Sequence, residues 1–402
     1  MGAGIFAVPG TVAQLLGASS PLAYLTAGAA VLLIALCFAE AGSRFEASGG
    51  PYVYVRAAFG NFAGFEVAWL FLLARLTAVA AIANTFASYL SYFFPGAQSG
   101  SARVVTITAM IGLLSGSHVF GLRLGVRVNN VLTLAKLAPL VVFCVAGLYL
   151  LPWKAIPLAG IAPAPLQQAS FLLLFALGGF EQAAIPSEEV IDPKKNVPRA
   201  ILLSVALVIV LYFLIQIVAV SAMPQLGASN APLASAAQNF LGPAGALMLT
   251  LGATLSTLGS NHVNLLIGPR LLYALSRDGQ MPAPLARLHA TYGTPHVSIL
   301  IYGLTAWIFA ITNAFAQLAA ISALARLLMY ASTCVAIPFL RRKSSGAAFT
   351  IPGGTLIPLL ALAVCIWLAL GSSLREAAIA AAAFVVGVGM YALFRRDTVR
   401  DE

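Results

Sequence analysis

The sequence predicts an all-α polytopic membrane protein that crosses the bilayer about 12 times. Its 402 residues are 60% hydrophobic and only 8% charged, whereas soluble domains carry about 25% charged residues. Apolar stretches long enough for a membrane helix follow one another along almost the whole chain. Lys and Arg are concentrated in alternate loops, as the positive-inside rule requires. We therefore expect a single transmembrane domain over residues 1–402.

Twelve apolar segments account for this expectation, and the third and eighth are longer than a straight crossing needs. The segments are 3–18, 22–42, 62–93, 103–121, 126–151, 169–191, 198–222, 243–277, 297–313, 317–340, 355–372 and 375–394. If the loop after the second segment is cytoplasmic, the basic residues of the outer loops are Arg103, Lys154 and Arg375. This orientation predicts a cytoplasmic C-terminus and a location in the inner (cytoplasmic) membrane of the cell.

Several functional classes are disfavoured by the composition. The net charge of +10 comes from Lys and Arg scattered between apolar runs, not from one basic helical face, so no nucleic acid partner is expected. The four cysteines lie inside apolar runs and the four histidines lack metal-ligand spacing, so we expect no disulfide framework and no metal. The sequence contains no nucleotide-binding loop or nucleophile elbow. We expect neither an enzyme nor a bound cofactor.

Two segments are interrupted by glycine. The sixth contains Gly178 and Gly179, followed by Glu181, and the first contains Gly2 and Gly4. A bilayer tolerates such interruptions only where they face protein or a water-filled cavity. Since the two segments are five apart, they cross in opposite directions, as in the inverted repeats of transporters. The alternative is that these glycines serve only helix packing.

Interrupted helices offer binding groups for a zwitterion, because a helix start exposes N–H groups and a helix end exposes carbonyls. The donors predicted to bind a carboxylate are the backbone N–H groups of Ala3, Gly4 and Ile5. The acceptors predicted to bind an amine are the backbone carbonyls of Phe175, Ala176 and Gly178. Added bulk at Gly4 or Gly178 is expected to abolish binding.

Motifs at four places, in the same order along the chain, resemble those of the amino acid–polyamine–organocation permeases. They are Gly-Ala-Gly-Ile-Phe at 2–6, Ser-Gly-Gly-Pro-Tyr at 48–52, Gly-Phe-Glu and Pro-Lys-Lys-Asn-Val-Pro-Arg within 179–199, and Arg-Leu-Leu-Tyr-Ala and Arg-Asp-Gly-Gln-Met-Pro within 270–282. The resemblance covers essentially the whole chain. It implies transport of amino acids or related amines by alternating access, with the same division of backbone donors and acceptors.

The resemblance also implies a leucine-transporter-like fold of five-plus-five inverted repeats. The first repeat would occupy 1–151, the second 169–340, and a C-terminal helical hairpin 355–394. Family members have a cytoplasmic half-helix before the first glycine break, whereas Met1 abuts the break here. We therefore expect helix 1 to be truncated at the N-terminus of this sequence, with a start codon upstream as the favoured explanation.

Lys136 lies well inside the fifth segment, where an ammonium group is costly and is expected to exchange protons readily. In proton-coupled members of the resembled family, a lysine in this motif takes the place of a sodium ion. Snorkelling to the inner interface is the alternative. Ser260 is a candidate partner for Lys136, placed only by its distance from Asp278. Glu181 is either a proton carrier or a structural group that braces the broken backbone of the first segment.

Four further positions concern the substrate side chain. Phe175 falls where the family has an aromatic lid, although it could serve ordinary packing. Asn264 lies where some relatives present a side chain to the substrate. Arg75 and Arg326, in the third and tenth segments, could recognise an anionic or polar side chain. They could equally pair with Glu66 or Glu181, or bind scaffold carbonyls.

Charges at the cytoplasmic ends of the helices are candidates for a gate. The predicted gate residues are Arg44, Glu188, Glu189 and Lys195. Exposed ion pairs are individually weak, but several together can bias one gate state over another. Membrane topology and helix capping are the alternative roles for these charges.

The leading hypothesis is a secondary active transporter that takes up or exchanges amino acids with protons, in contact with the lipid bilayer. A sodium-coupled transporter of another small molecule is the second hypothesis, and Lys136 argues against it. A sensor or truncated form that does not transport is the third.

Overall fold

The computed structural model is helical and has no strand in the residues that it describes: 2–46, 49–121, 126–152, 157, 162–184, 190–343 and 347–394, with the backbone alone over 126–134. The helices are α1 (Gly4–Leu16), α2 (Pro21–Gly42), α3 (Pro51–Phe59), α4 (Asn61–Leu90), α5 (Gly100–Val119), α6 (Val126–Leu150), α7 (Pro163–Leu177), α8 (Pro193–Ala222), α9 (Pro232–Arg277), α10 (His296–Thr312), α11 (Phe315–Lys343), α12 (Leu356–Ala369) and α13 (Leu374–Phe394).

Each predicted apolar segment contains one of these helices, in the predicted order. Two stretches of helix are not predicted by the sequence. One is α3, and the other is the first part of α9, which a non-helical residue, Gly242, separates from 243–277. The sixth segment also differs from expectation, because its helix begins at Pro163 and ends at Leu177.

Seven of the described helices are long and apolar enough to cross a membrane. They are α2, α4, α5, α8, α9, α11 and α13. Shorter apolar helices lie at Gly4–Ser19, Ala135–Leu150, His296–Thr312 and Leu356–Ala369. These helices fit a chain that crosses the membrane several times. The count of 12 crossings and the division into inverted repeats remain predictions.

Two helices form the centre of the bundle. α4 packs extensively against α11 and also against α9. In the most apolar stretch of each helix, 83% is buried in α4 and 78% in α11, against 33% in α8 and 17% in α13. The outer helices expose large apolar side chains such as Leu203, Leu207 and Val385. Such surfaces suit contact with lipid hydrocarbon rather than water.

Glycine allows close packing between α2 and α8, which contact each other along their length. A Cβ atom at Gly28 would lie 2.7 Å from the Ile209 Cγ2 atom, which is too close for a carbon–carbon contact. Gly112 on α5 contrasts with Gly28, since a Cβ there would meet nothing within 4 Å. Small residues at helix interfaces are the usual means of close approach in membranes.

We predict that Gly28→Leu destabilises the bundle by about 1–3 kcal/mol, because the larger side chain must displace α8. The measurement is the thermal unfolding midpoint of the purified protein in detergent. Gly112→Leu is the matched control and should leave the midpoint unchanged or slightly raised, since leucine favours helix more than glycine does. Equal destabilisation by both variants would contradict the close packing at Gly28.

Candidate functional site

The helix α7 ends inside the protein at two consecutive glycines. Gly178 leaves the helix with φ −70° and ψ 162°, while its N–H still donates to the Leu174 carbonyl at 2.8 Å. Gly179 has φ 114°, a conformation that a side chain would strain. A short 3-10 turn follows over Phe180–Ala184. The carbonyls of the last helical turn therefore lack the partners that a continuing helix would supply.

The start of α1 crosses this helix end. α1 begins at Gly4 and has no acidic residue in its first turn, so the positive end of the helix dipole is not neutralised locally. A Cβ atom at Gly4 would lie 2.7 Å from the Ala176 Cα atom. Only glycine permits the two backbones to come this close. The first turn of one helix and the last turn of the other therefore lie in close contact.

A cavity of about 390 Å³ lies at this crossing, within the usual size range of small-molecule sites. Residues of α1, α2, α4, α6, α7, α8, α9 and α11 surround it. The sequence-predicted residues on its wall are Ala3, Gly4, Lys136, Phe175, Ala176, Gly178, Ser260, Asn264 and Arg326. Predicted substrate-binding and proton-coupling positions therefore share one cavity.

Ile5 is the predicted substrate-binding residue that does not line the cavity. The Ile5 side chain is fully buried, and its predicted contribution is a backbone N–H group. The wall also includes the polar residues Ser204, Ser256 and Gln182, which the sequence reasoning missed. Ser256 precedes Ser260 by one helical turn, so helical spacing alone could have identified it.

Phe175 lies between the cavity and a neighbouring aromatic side chain. Its side chain is only 6% exposed and lies on the cavity wall. Its ring also packs edge-on against Phe315 at the start of α11, with centroids 5.6 Å apart. The ring therefore has a packing partner as well as access to the cavity.

Glu181 braces the interruption of its own segment rather than that of α1. Its carboxylate accepts a hydrogen bond from the Gly179 N–H at 2.8 Å and another from the Tyr330 hydroxyl at 2.8 Å. An Arg326 guanidinium nitrogen lies 3.9 Å from the other carboxylate oxygen. Because Glu181 is fully buried, this network fixes the backbone after α7 to α11.

Arg75 is paired with an amide rather than with an acid. Its guanidinium donates to the Asn264 side-chain oxygen at 3.0 Å and lies 4.5 Å from the centre of the Phe71 ring. Glu66, a partner considered from the sequence, instead faces Gly387 on α13. The Glu66 carboxylate has no hydrogen-bond partner within the described ranges. Arg75 therefore supports a residue of the cavity wall from behind.

A buried ion cluster ties α2 to α11, at the end of the bundle expected to be cytoplasmic. Glu40 is fully buried and pairs with Arg44 at 2.8 Å and with Arg341 at 2.6 Å. It also accepts a hydrogen bond from the Ile351 N–H at 3.0 Å. Glu40 was not among the predicted gate residues, although the spacing of four residues to Arg44 on a helix is a signal for an ion pair.

The other charged residues near this end of the bundle are more exposed or lie outside the described residues. Lys194 pairs with Glu46 at 2.8 Å, and its charge and hydrogen bond hold the pKa of Glu46 below the usual value. This pairing is therefore present at neutral pH and is lost as the pH falls through that lowered pKa. Lys195 is exposed at the start of α8. Glu188 and Glu189 lie outside the described residues.

Comparison with known proteins identifies similar sequences over nearly the whole chain. A model of the amino acid permease family matches residues 1–391. The chain is 28% identical over 388 residues to the methylthioribose transporter of Bacillus subtilis, covering 91% of this chain and 84% of that protein. It is 27% identical over 395 residues to the branched-chain amino acid permease BcaP of the same organism, covering 92% and 84%.

A mammalian relative is similar to the same extent. The chain is 30% identical over 419 residues to the large neutral amino acids transporter small subunit 2 of Mus musculus. The match covers 98% of this chain and 78% of that protein. All three relatives are transport proteins by name, and each match covers more than nine tenths of this chain.

We predict that Glu40→Gln destabilises the protein by about 3–5 kcal/mol, because it leaves buried arginine charge without its acid. The matched control is Glu46→Gln, the same substitution in an exposed ion pair, which should change stability little. Thermal unfolding midpoints of both purified variants measure the effect. A Glu40→Gln protein as stable as the control would show that the cluster does not hold α2 to α11.

Proposed function

Since this chain belongs to the amino acid permease family, whose members are transporters rather than enzymes, we propose that it moves amino acids or related amines by alternating access. The family match and the apolar helices make it a multi-pass membrane protein. We propose the inner membrane as its location, with 12 crossings and the C-terminus in the cytoplasm. The proposed arrangement is an inverted repeat of 1–151 and 169–340, followed by the hairpin 355–394.

The observation that carries this proposal is the cavity between the start of α1 and the end of α7. The N–H groups at residues 3–5 suit the α-carboxylate of an amino acid, and the carbonyls at residues 175–178 suit its ammonium group. Both sets are backbone groups held by helices, so the site recognises what all amino acids share. Side chains of other helices, including Asn264, border the rest of the cavity and would contact the variable part of the substrate.

Alternating access requires that the cavity open to one side of the membrane at a time. The contact between α1 and α7 supports the proposal because α1 begins and α7 ends beside the cavity. Rotation of either helix would move the backbone groups on one side of the substrate. The proposed inner gate consists of the charges at Arg44, Glu188, Glu189 and Lys195. It lies next to the Glu40 cluster, which holds α2 to α11 through Arg44 and Arg341.

Proton coupling is the proposed energy source. Lys136 lies on the wall of the same cavity as Ser260, so a change in its charge would be felt by a bound substrate. Protonation of Lys136 would favour one state of the cavity, and its deprotonation the other, which links proton movement to substrate movement. Sodium coupling is the competing possibility. Lys136 argues against it, because its ammonium group would take the place of a bound sodium ion.

We predict that Gly4→Val and Gly178→Val each weaken substrate binding by at least about a hundredfold, or about 2.7 kcal/mol. A side chain at Gly4 would strike the α7 backbone, and one at Gly178 would strike Arg326. The probe is the tightest binder in a panel of L-amino acids, found by thermal stabilisation of the purified chain. Gly116→Val, whose Cβ meets nothing within 4 Å, is the control. Unchanged affinity in both folded site variants would exclude this placement of the substrate.

We predict that Lys136→Ala abolishes the acceleration of uptake by a proton gradient, because the titrating group is gone. The measurement is initial uptake into proteoliposomes with and without an imposed pH gradient, in sodium-free buffer and in sodium. Lys195→Ala, an exposed lysine replaced in the same way, should retain the acceleration. A Lys136→Ala protein with full proton dependence would refute the coupling role. Uptake by the unsubstituted chain that depends on sodium and ignores pH would establish the competing possibility.

A further inference from the structure

Two arginines lie inside the membrane-spanning bundle beside the proposed substrate cavity. Arg326 on α11 is 5% exposed and Arg75 on α4 is 1% exposed. Arg326 lines the cavity, and its guanidinium lies where a side chain on Gly178 would be. Arg75 reaches the wall through its hydrogen bond to Asn264. Arginine is costly inside a membrane and usually marks a functional site there.

The hydrogen-bonding capacity of these two groups is largely unused. Each guanidinium carries five N–H donors. In Arg326 the Nε and Nη1 atoms have no hydrogen-bond partner among the described residues, and in Arg75 the same holds for Nε and Nη2. Buried donors without acceptors cost free energy. An acceptor that enters the cavity would recover that cost at Arg326.

The charges around the cavity are also unbalanced. Within the described ranges, Glu181 is the carboxylate near Arg326. Its Oε1 atom lies 3.9 Å from the guanidinium and has no hydrogen bond, while its Oε2 atom accepts from Gly179 and Tyr330. Arg75 is bound to the neutral amide of Asn264. Among the described residues, and without counting Lys136, two guanidinium groups thus lie near one carboxylate. Glu66 does not restore the balance, since it lies at the contact with α13.

We infer that the substrate is an amino acid whose side chain carries a negative charge, such as a second carboxylate. This inference rests on the proposed function, which assigns the α-carboxylate to the start of α1 and leaves the side chain to the remaining wall. The planar guanidinium of Arg326 can bind a carboxylate through two parallel hydrogen bonds. A neutral substrate would leave the excess positive charge buried and unpaired.

Arg75 acts in this arrangement as a positioning residue. Its bond to the Asn264 oxygen orients the Asn264 amide nitrogen away from Arg75, so that the amide can donate toward the cavity. Its positive charge adds to the field that favours an anion. This charge preference does not follow from the relatives, which are named for methylthioribose, branched-chain and large neutral amino acid substrates.

The test compares L-glutamate with L-glutamine, which match in size and differ in charge. Binding to the purified full chain is measured by titration, and uptake is measured in proteoliposomes. We expect glutamate to bind at least roughly tenfold more tightly than glutamine. Arg326→Gln should weaken glutamate binding by roughly tenfold to a hundredfold, as expected for loss of a charged hydrogen-bonding partner. Glutamine binding should change little, so the preference for glutamate should disappear.

Two control variants separate recognition from structural support. Tyr330→Phe keeps every charge but removes a hydroxyl that Glu181 binds and that also contacts Arg326. It should lower stability and reduce the glutamate preference much less than Arg326→Gln does. Arg103→Gln removes an arginine that binds Asn84 and α10 carbonyls, and it should leave the preference unchanged. Arg326→Lys keeps the positive charge but loses the planar guanidinium that can form two parallel hydrogen bonds. This variant should retain part of the preference for glutamate.

The outcomes distinguish this inference from the proposed function. If neutral amino acids bind and are transported while glutamate is not, the anionic substrate is refuted and amino acid transport stands. If no amino acid of any charge binds or moves, the proposed function itself fails. If Arg326→Gln does not fold, the glutamate-to-glutamine ratio of the unsubstituted chain still decides the question. An equal loss of both ligands in a folded Arg326→Gln protein would reduce Arg326 to structural support.

Discussion

Backbone polar groups cannot be left unpaired in a bilayer, and the central architecture of this protein depends on that constraint. α7 stops at Leu177 and α1 starts at Gly4, both inside the bundle. The exposed groups at these ends must meet partners within the protein or in a cavity. The close approach of Gly4 to Ala176 sets the two ends side by side, one with donors and the other with acceptors. A small zwitterion is the kind of ligand that pairs with both.

Buried charged groups also need partners within the protein or in a cavity, and this protein contains two arrangements of them. At Glu40, two arginines and a backbone N–H surround one acid, so the cluster can hold helices together. At the cavity, Arg326 shares Glu181 with Tyr330 and retains unused donors. The first arrangement is complete enough to be structural, and the second lacks an anion. This difference is the physical reason to assign them different roles.

The fold was largely predictable because its signals are local. Hydropathy windows and glycine breaks predicted the order of the helices and the interruption at Gly178 and Gly179, and the same segments carried the family motifs. α3 escaped prediction because Pro51–Phe59 is a nine-residue helix that depends on packing against α4 and α11 rather than on its own apolar length. The predicted residues at Ala3, Gly4 and Phe175–Gly178 line one cavity, since the position of the backbone follows directly from where the helices begin and end.

Side-chain partners were harder to predict, because they come from distant parts of the chain. Glu40 meets Arg341 across 301 residues of sequence, and Glu181 meets Tyr330 across 149. No periodicity within one segment can identify such pairs. The most direct test of the central claim is a cryo-EM structure of the full chain with its tightest-binding amino acid. We predict the α-carboxylate at the N–H groups of residues 3–5 and the ammonium at the carbonyls of residues 175–178. Substrate density elsewhere, for example in the cavity between Arg56 and Arg277, would contradict the account.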